Sequence, residues 1–404
     1  MPRKKESVFD SVESVIADIR AGRMVIVTDD EDRENEGDLI CAAEKITPEM
    51  VNFMVRQGGG MLCVPVSLEI AECLNLASMV PENREAFRTD FTVTVDAAKG
   101  ITTGISAADR CHTIRLLADA KSRPDDLVQP GHINPLVAKP GGVLRRAGHT
   151  EAAVDLARLA GLREAGVLIE IMNPDGTMAR LPNLKKFAKK HKLKMCSIAD
   201  LIAHRRLSEK LVEKMEVVDM PTDFGTFKLH LYKSHLDGIH HVAMVMGDIT
   251  PDSPVLVRVH SECLTGDVFA SRRCDCGSQL HAAMKQIATA GKGIIIYMRG
   301  HEGRGIGLHG KIMAYKLQEQ GLDTVEANLK LGFAMDLRDY GIGAQIISDL
   351  GVRKLLLMTN NPRKVVGLEG HKLEIVEQVP VKSTPKPENA RYLETKKKKM
   401  GHKL

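Results

Sequence analysis

Three cysteines carry the sharpest local signal in the chain: Cys263, Cys274 and Cys276. Two cysteines one residue apart on a strand would point to opposite faces, so a loop or turn has to present Cys274 and Cys276 together. Three thiolates in this pattern suit Zn2+. No further cysteine follows. His260, His281 or His301 would close a structural site; an open fourth position would hold water, acidified toward a pKa of about 7. A second constellation is the run Asp29-Asp-Glu-Asp-Arg-Glu-Asn-Glu-Gly-Asp38, with seven carboxylates in ten residues between the apolar segments MVIV and LICAA. Packed carboxylates repel, and a bound cation compensates them. Position six after Asp30 is Asn35 rather than Gly, so this is no EF-hand loop. The reading is a hard-cation site for Mg2+ or Mn2+.

Other stretches place polar groups where elements begin or end. Gly141-Gly-Val-Leu-Arg-Arg-Ala-Gly-His-Thr150 brings Arg146, His149 and Thr150 to a predicted helix start, a ready phosphate site. Gly131-His-Ile-Asn-Pro135 puts His132 in a loop. Gly305, Gly307 and Gly310 fit G-x-G-x-x-G, but residues 299–304 stand between the preceding strand and the first glycine, where a dinucleotide fingerprint wants an immediate turn. Those residues bring Arg299, Glu302 and Arg304 instead. Asp336 lies two residues before Arg338, and Thr359-Asn-Asn-Pro-Arg-Lys364 ends a strand with a hydroxyl, amides and two cations.

The elements that must position these groups follow from periodicity. Apolar runs at 24–29, 61–66, 91–97, 166–172, 255–260, 293–299 and 352–359 read as strands. Ser106 through Asp109 has capping-box spacing, which starts a helix. Further helices are expected over 149–161, 183–194 and 197–206. Residues 208–225 are charged and lack a core run, so a linker is placed at about 208–220, between domains 1–207 and 208–404. Residues 383–404 read as a Lys-rich surface tail. The fold class expected is α+β (mixed α/β), two domains, each a mixed β-sheet core with flanking helices.

Composition narrows the function. The chain has 404 residues, 43% hydrophobic and 27% charged, enough for two or three buried cores. No apolar run approaches the ~18 residues of a membrane span, and the first residues show no secretory signal, so a cytoplasmic location is expected. Net charge is +5, compatible with phosphorylated substrates. Aromatic residues are 3%, with no Trp, which disfavours a stacking platform for nucleic acid. No Walker A sequence occurs. No nucleic-acid or membrane partner is expected.

Taken together, DDEDRENEGDLICAAEKITPE, TTGISAADR, PGHINPL, GGVLRRAGHTEAAVDLARLAG and EIMNPDGTMARLP resemble 3,4-dihydroxy-2-butanone 4-phosphate synthase over about residues 8–207. The resemblance implies conversion of D-ribulose 5-phosphate to L-3,4-dihydroxy-2-butanone 4-phosphate and formate. It implies Glu34 and His149 as Mg2+ or Mn2+ ligands. Arg33, Glu34, Asp38, Arg146, Ala147, Gly148, His149, Thr150 and Glu170 would meet the substrate, with His132 and Glu170 catalytic. RVHSECLTGD, SRRCDCGSQL, RGHEGRGIGL, NLKLGFAMDLRDYGIGAQI and TNNPRKVVGLEGH resemble GTP cyclohydrolase II over about 221–392. That resemblance implies hydrolysis of GTP to a 2,5-diaminopyrimidinone ribosyl phosphate, formate and pyrophosphate. Cys263, Cys274 and Cys276 would bind catalytic zinc, with Mg2+ accompanying GTP. Arg258, Val259, His260, Ser261, Glu262, Gln279, Glu302, Gly303, Arg304, Thr324, Thr359 and Lys364 would contact GTP. Asp336 is implied as proton acceptor, Arg338 as nucleophile toward the α-phosphorus or as an electrostatic clamp on it, and Tyr315 as a further active-site group. The whole chain resembles the bifunctional riboflavin-biosynthesis family, which implies a homodimer.

Overall fold

In the computed structural model, residues 8–333, 338, 340–361, 373–381, 386–389 and 394 are described. The chain divides into two compact units, 1–208 and 209–404.

The first unit is built on β1 (Val25–Thr28), β2 (Gly37–Ala42), β3 (Cys63–Val66), β4 (Asp90–Phe91), β5 (Val95–Ala97), β6 (Leu127–Val137), β7 (Gly166–Glu170) and β8 (Met195–Ser197). Their order is β4-β6-β3-β7-β2-β1-β8, with β5 paired to β6. Parallel and antiparallel pairs mix: β1 runs antiparallel to β2 and parallel to β8. The central strands are buried on both faces, so their sequences read as unbroken apolar runs rather than alternations. Alternate residues still sort into two layers. Val25, Val27, Ile40, Cys63, Leu136 and Leu168 face the helices Val12–Arg20, His149–Leu159 and Ile198–Ser208. Ile26, Leu39, Cys41, Val64, Val167 and Ile169 form the opposite core with the helices Pro48–Phe53, Ala107–Ala118 and Leu181–His191. Ser106 caps the second of these, its Oγ accepting from Asp109 N at 3.1 Å. The expected strand over 91–97 is two short strands, β4 and β5.

The second unit orders β9 (Val212–Thr222), β10 (Gly225–Ser234), β11 (His240–Met246), β12 (Val255–Ser261), β13 (Gly293–Met298), β14 (Lys354–Met358) and β15 (Glu374–Val379) as β15-β14-β12-β13-β11-β10-β9. β15, β14, β12 and β13 are mutually parallel, while β13, β11, β10 and β9 alternate. The expected linker at 208–220 is therefore a correction: from Val212 onward it is strand β9, paired with β10 along its length. It occupies the sheet edge, and seven of its residues in a row are exposed, which is why it has no core run to announce it. Most of the expected tail at 383–404 lies outside the described residues.

Candidate active sites

In the first unit, β1 ends at Thr28 and the acidic run turns back into β2. Asp29 organises that turn: its Oδ1 accepts from Glu36 N at 2.8 Å, and its Oδ2 from Glu34 N at 3.0 Å and Arg33 Nη1 at 2.9 Å. Arg180 latches the outside, donating to the carbonyls of Glu34 and Asn35. The loop so held presents Glu34, whose Oε2 lies 3.7 Å from His149 Nδ1 and whose Oε1 lies 2.7 Å from Arg33 Nη2. His149 opens the helix His149–Leu159, which has Gly148 at its N-cap and no side-chain cap.

Register places the remaining groups. Asp38 on β2 faces Glu170 at the end of β7. Cys63 on β3 pairs with both Leu168 of β7 and Asn134 of β6. Glu170 and His132 each lie two residues beyond that rung, on the face covered by the His149 helix. Glu170 Oε2 accepts from Met61 N at 2.7 Å. His132 Nδ1 lies 2.6 Å from Asp96 Oδ2, and Asp96 Oδ1 accepts His132 N at 3.0 Å. Arg146 is held by Glu151 Oε2 at 2.6 Å and Thr89 Oγ1 at 2.8 Å.

The electrostatics ask for a cation. Burial pushes Asp38 up to about 7, against the attraction of His149 and with repulsion from Glu170, Glu34 and Glu36 added. Glu36 is likewise raised, by burial and then by Glu34. Burial opposes charge on His149, yet Asp38, then the neighbouring Glu34 carboxylate, carry it to about 9. For Glu34, burial works upward and is outweighed by His149 and by Arg33, leaving it below the usual range. His149 Nε2 and Asp38 Oδ1 are buried without a hydrogen-bond partner among the described residues, 4.0 Å apart. Ligand atoms of Asp29, Glu34 and His149 lie within 4.8 Å of one another. With Asp29 spent on the turn, Glu34 and His149 are the donors left, and an oxygen–nitrogen pair among excess carboxylates fits a hard divalent ion.

In the second unit, the carboxyl ends of parallel strands β12, β13 and β14 point the same way. The chain passes from β12 to β13 on one side and returns to β14 on the other, so β12 is a switch point of the sheet. A cleft opens there, lined by Arg258, His260, Ser261, Glu262, the three cysteines, Gln279, Glu302, Gly303, Arg304, Tyr315, Thr324, Arg338 and Thr359. The sulfurs of Cys263 and Cys274 are 3.7 Å apart. Four ligands at ~2.3 Å from a tetrahedral zinc have sulfurs about 3.8 Å apart. Gly266 backs the cluster: a Cβ there would sit 2.7 Å from Cys274 Sγ and 3.0 Å from Cys263 Sγ. Among the described residues no histidine joins the three sulfurs. His260 Nε2 faces Asp267 at 3.1 Å, His281 packs on Phe224 with ring centres 5.5 Å apart, and His301 Nδ1 lies 3.4 Å from Ser261 Oγ. The donor set thus fits zinc with one position open. Hydrogen bonds from Cys274 and Cys276 drive the Cys263 thiol far down, and the hydrogen bond with Cys263, then burial, drive Cys274 up to about 11.

Around the sulfurs the polar groups interlock. Arg258 is buried and donates to Gln279 Oε1 at 2.7 Å and to the Met358 carbonyl at 2.8 Å. Glu262 accepts from Gly300 N at 2.7 Å. Tyr315 OH lies 3.2 Å from Thr265 Oγ1, and Arg338 Nη1 reaches Ser261 Oγ at 3.3 Å. Arg304, at φ 72°, holds Nη1 and Nη2 buried without a protein partner among the described residues.

Two family models match the chain: 3,4-dihydroxy-2-butanone 4-phosphate synthase over residues 13–204 and GTP cyclohydrolase II over 213–380. Riboflavin biosynthesis protein RibBA of Aquifex aeolicus is 59% identical over 404 residues, covering 100% of both chains. The chain belongs to the bifunctional riboflavin-biosynthesis family. The Bacillus subtilis protein of the same name is 57% identical over 398 residues, covering 98% of this chain and 100% of its own. A crystal structure of RibBX, a two-domain 3,4-dihydroxy-2-butanone 4-phosphate synthase from A. baumannii, aligns with TM-score 0.69 at 38% identity, covering 93% of this chain and 100% of that one. The chain is a bifunctional riboflavin-biosynthesis enzyme, lyase and hydrolase in one. Its first unit converts D-ribulose 5-phosphate to L-3,4-dihydroxy-2-butanone 4-phosphate and formate; its second hydrolyses GTP to the diaminopyrimidinone ribosyl phosphate, formate and pyrophosphate.

Against this family reading, the synthase unit gathers Arg33, Glu34, Asp38, His149 and Glu170, with the Arg146–Thr150 segment at the same helix start. Asp96 carries no mark in the sequence, because its partner His132, 36 residues away, is brought near by folding. Of the residues expected to contact GTP, all but Val259 and Lys364 line the cyclohydrolase cleft; Val259 is 1% exposed in the core. Asp336 and Lys364 lie outside the described residues. Lys311, buried against Cys263, was also unmarked.

Proposed function

We propose that the synthase reaction is carried by Glu34, His149, Glu170 and the Asp96–His132 pair. A divalent cation, Mg2+ or Mn2+, held by Glu34 and His149 supplies positive charge for the vicinal oxygens of the sugar phosphate. His132, its Nδ1 fixed by Asp96, presents Nε2 to exchange protons with substrate. Glu170, with one oxygen tied to Met61 N, offers the other as a second proton carrier. Arg146 and the uncapped N–H groups of the His149 helix, with Thr150, take the phosphate. Arg33 and Asp38 hold the hydroxyls between.

For the cyclohydrolase, Cys263, Cys274 and Cys276 would hold zinc, which would supply Lewis acidity for hydrolysis at C8 of guanine. Arg304 takes the triphosphate, alongside Mg2+, because its Nη1 and Nη2 are buried and lack a protein partner among the described residues. Arg338 acts as an electrostatic clamp on the α-phosphate, since a guanidinium stays protonated. Glu262, Gln279, Thr324 and Thr359 shape the cleft around the nucleotide. The observation that carries this reading is three sulfurs within 4.8 Å of one another, two of them 3.7 Å apart, with no fourth protein donor among the described residues, in a cleft also lined by Arg304, whose Nη1 and Nη2 have no hydrogen-bond partner among them. The family resemblance supports a cytoplasmic homodimer. The test is formate release by the purified chain from GTP and, separately, from ribulose 5-phosphate. Release from both is expected; release from neither would refute it.

A further inference from the structure

Lys311 sits on the helix Gly307–Glu319 and is 7% exposed. Its Nζ lies 3.1 Å from Cys263 Sγ, 2.8 Å from Thr265 Oγ1 and 2.7 Å from Glu302 Oε1. An ammonium has three N–H donors, and these three acceptors take them all. Lys311 lines the cleft, yet it has no donor left for a substrate phosphate. Its far side is anchored: Glu302 also accepts from Leu264 N at 2.6 Å and Gly303 N at 3.1 Å. The Tyr315 ring, its centroid 5.6 Å from Nζ, covers another flank. Burying a lysine costs free energy that an apolar chain of the same volume would not. What the position gains is a fixed cation against one sulfur of a set whose three thiolates outnumber the two charges of the ion.

Resting on the zinc reading above, we propose that Lys311 is a positioning residue of the cyclohydrolase: its ammonium hydrogen-bonds the Cys263 thiolate, draws charge from that sulfur and so sets the Lewis acidity of the metal. The rival is a purely structural strut that ties the helix to the cysteine loop. Groups that hydrogen-bond a metal ligand commonly tune a site ~10–100-fold.

The full chain is loaded with Co2+ in place of zinc, and the thiolate-to-cobalt charge-transfer band is recorded with GTP turnover for wild type, Lys311→Met and Lys311→Arg. Lys311→Met is expected to bind one cobalt, to shift the band to lower energy because the sulfur becomes the better donor, and to lose ~10-fold or more in kcat with KM for GTP little changed. Lys311→Arg, which keeps the charge, is expected to hold the band near its wild-type position and to recover most of kcat. A loaded Lys311→Met with an unmoved band overturns the proposal, as does a raised KM at constant kcat, which would make Lys311 a substrate ligand. Failure of Lys311→Met to hold cobalt while its reaction with ribulose 5-phosphate persists overturns it in favour of the strut. A wild-type chain that binds no metal would instead remove the zinc reading, and shows itself before any variant is compared.

Discussion

Taking one sulfur from the cluster separates the two chemistries. Cys274→Ser replaces a thiolate by a hydroxyl, a far poorer zinc donor. Zinc content is expected to fall and GTP hydrolysis to drop ~100-fold or more, while formate release from ribulose 5-phosphate stays within about twofold; metal analysis and the two formate assays read this directly. The Asp96–His132 pair makes a quieter prediction. Asp96 is the only carboxylate among the described residues that binds His132, at both ring and backbone. Asp96→Asn keeps an oxygen for the backbone N–H but removes the anion that fixes the ring. A ~10–100-fold loss in synthase kcat is expected, with KM for ribulose 5-phosphate and the thermal midpoint little changed. An unchanged kcat would dissociate Asp96 from the proton transfer.

At the scale of elements, legibility in the sequence depended on burial. The β1, β7 and β13 runs were readable because both faces of those strands are covered, and so was the helix that begins at His149. β9 was not, because an exposed edge strand is stabilised by pairing with β10, which leaves no apolar signature in its own residues. The same division holds for the site. Glu34, His149 and the cysteines sit in motifs a reader can recognise, whereas Asp96 and Lys311 act through partners 36 and 48 residues away. Glycines belong to this scale too. Gly60 follows Gly59, which has φ 91°, and a Cβ on Gly60 would fall 2.8 Å from Glu170 Cβ and 2.9 Å from its carbonyl oxygen, overlapping Oε2. Gly60→Ala is therefore expected to displace Glu170 and to abolish most synthase turnover while leaving GTP hydrolysis intact. Formate from each substrate checks it, and full synthase activity would show that Glu170 needs no such support.

For the molecule as a whole, part of the response to mild acid comes from a group outside either set of metal ligands. His241 on β11 is 3% exposed, and its Nδ1 is buried without a hydrogen-bond partner among the described residues. Burial pulls it down to about 4, with Arg299 and His240 working in the same direction and Asp237 against. In the unfolded chain a histidine titrates near 6.5. Between those values the unfolded state binds the extra proton, so stability is complete above about 6.5 and declines as pH falls toward 4. The full shift corresponds to on the order of 3 kcal/mol. Carboxylates held low, such as Asp109 and Asp349, lose their contribution only as pH falls below their ordinary range, whereas Asp38 and Asp155, pushed by burial up to about 7 and about 6, take up protons in the native state between pH 7 and 5 and oppose the histidine there, so its contribution is read as the difference between wild type and a variant. His191 and His230 are lowered in the same sense, by burial first, but are less enclosed. The urea resistance of His241→Phe relative to wild type, at the same protein concentration, should accordingly rise as pH falls from 7 to 5. Equal slopes in the two proteins would place the acid sensitivity elsewhere, because a neutral ring buried in the native sheet is the only arrangement at this position that makes protonation and folding compete.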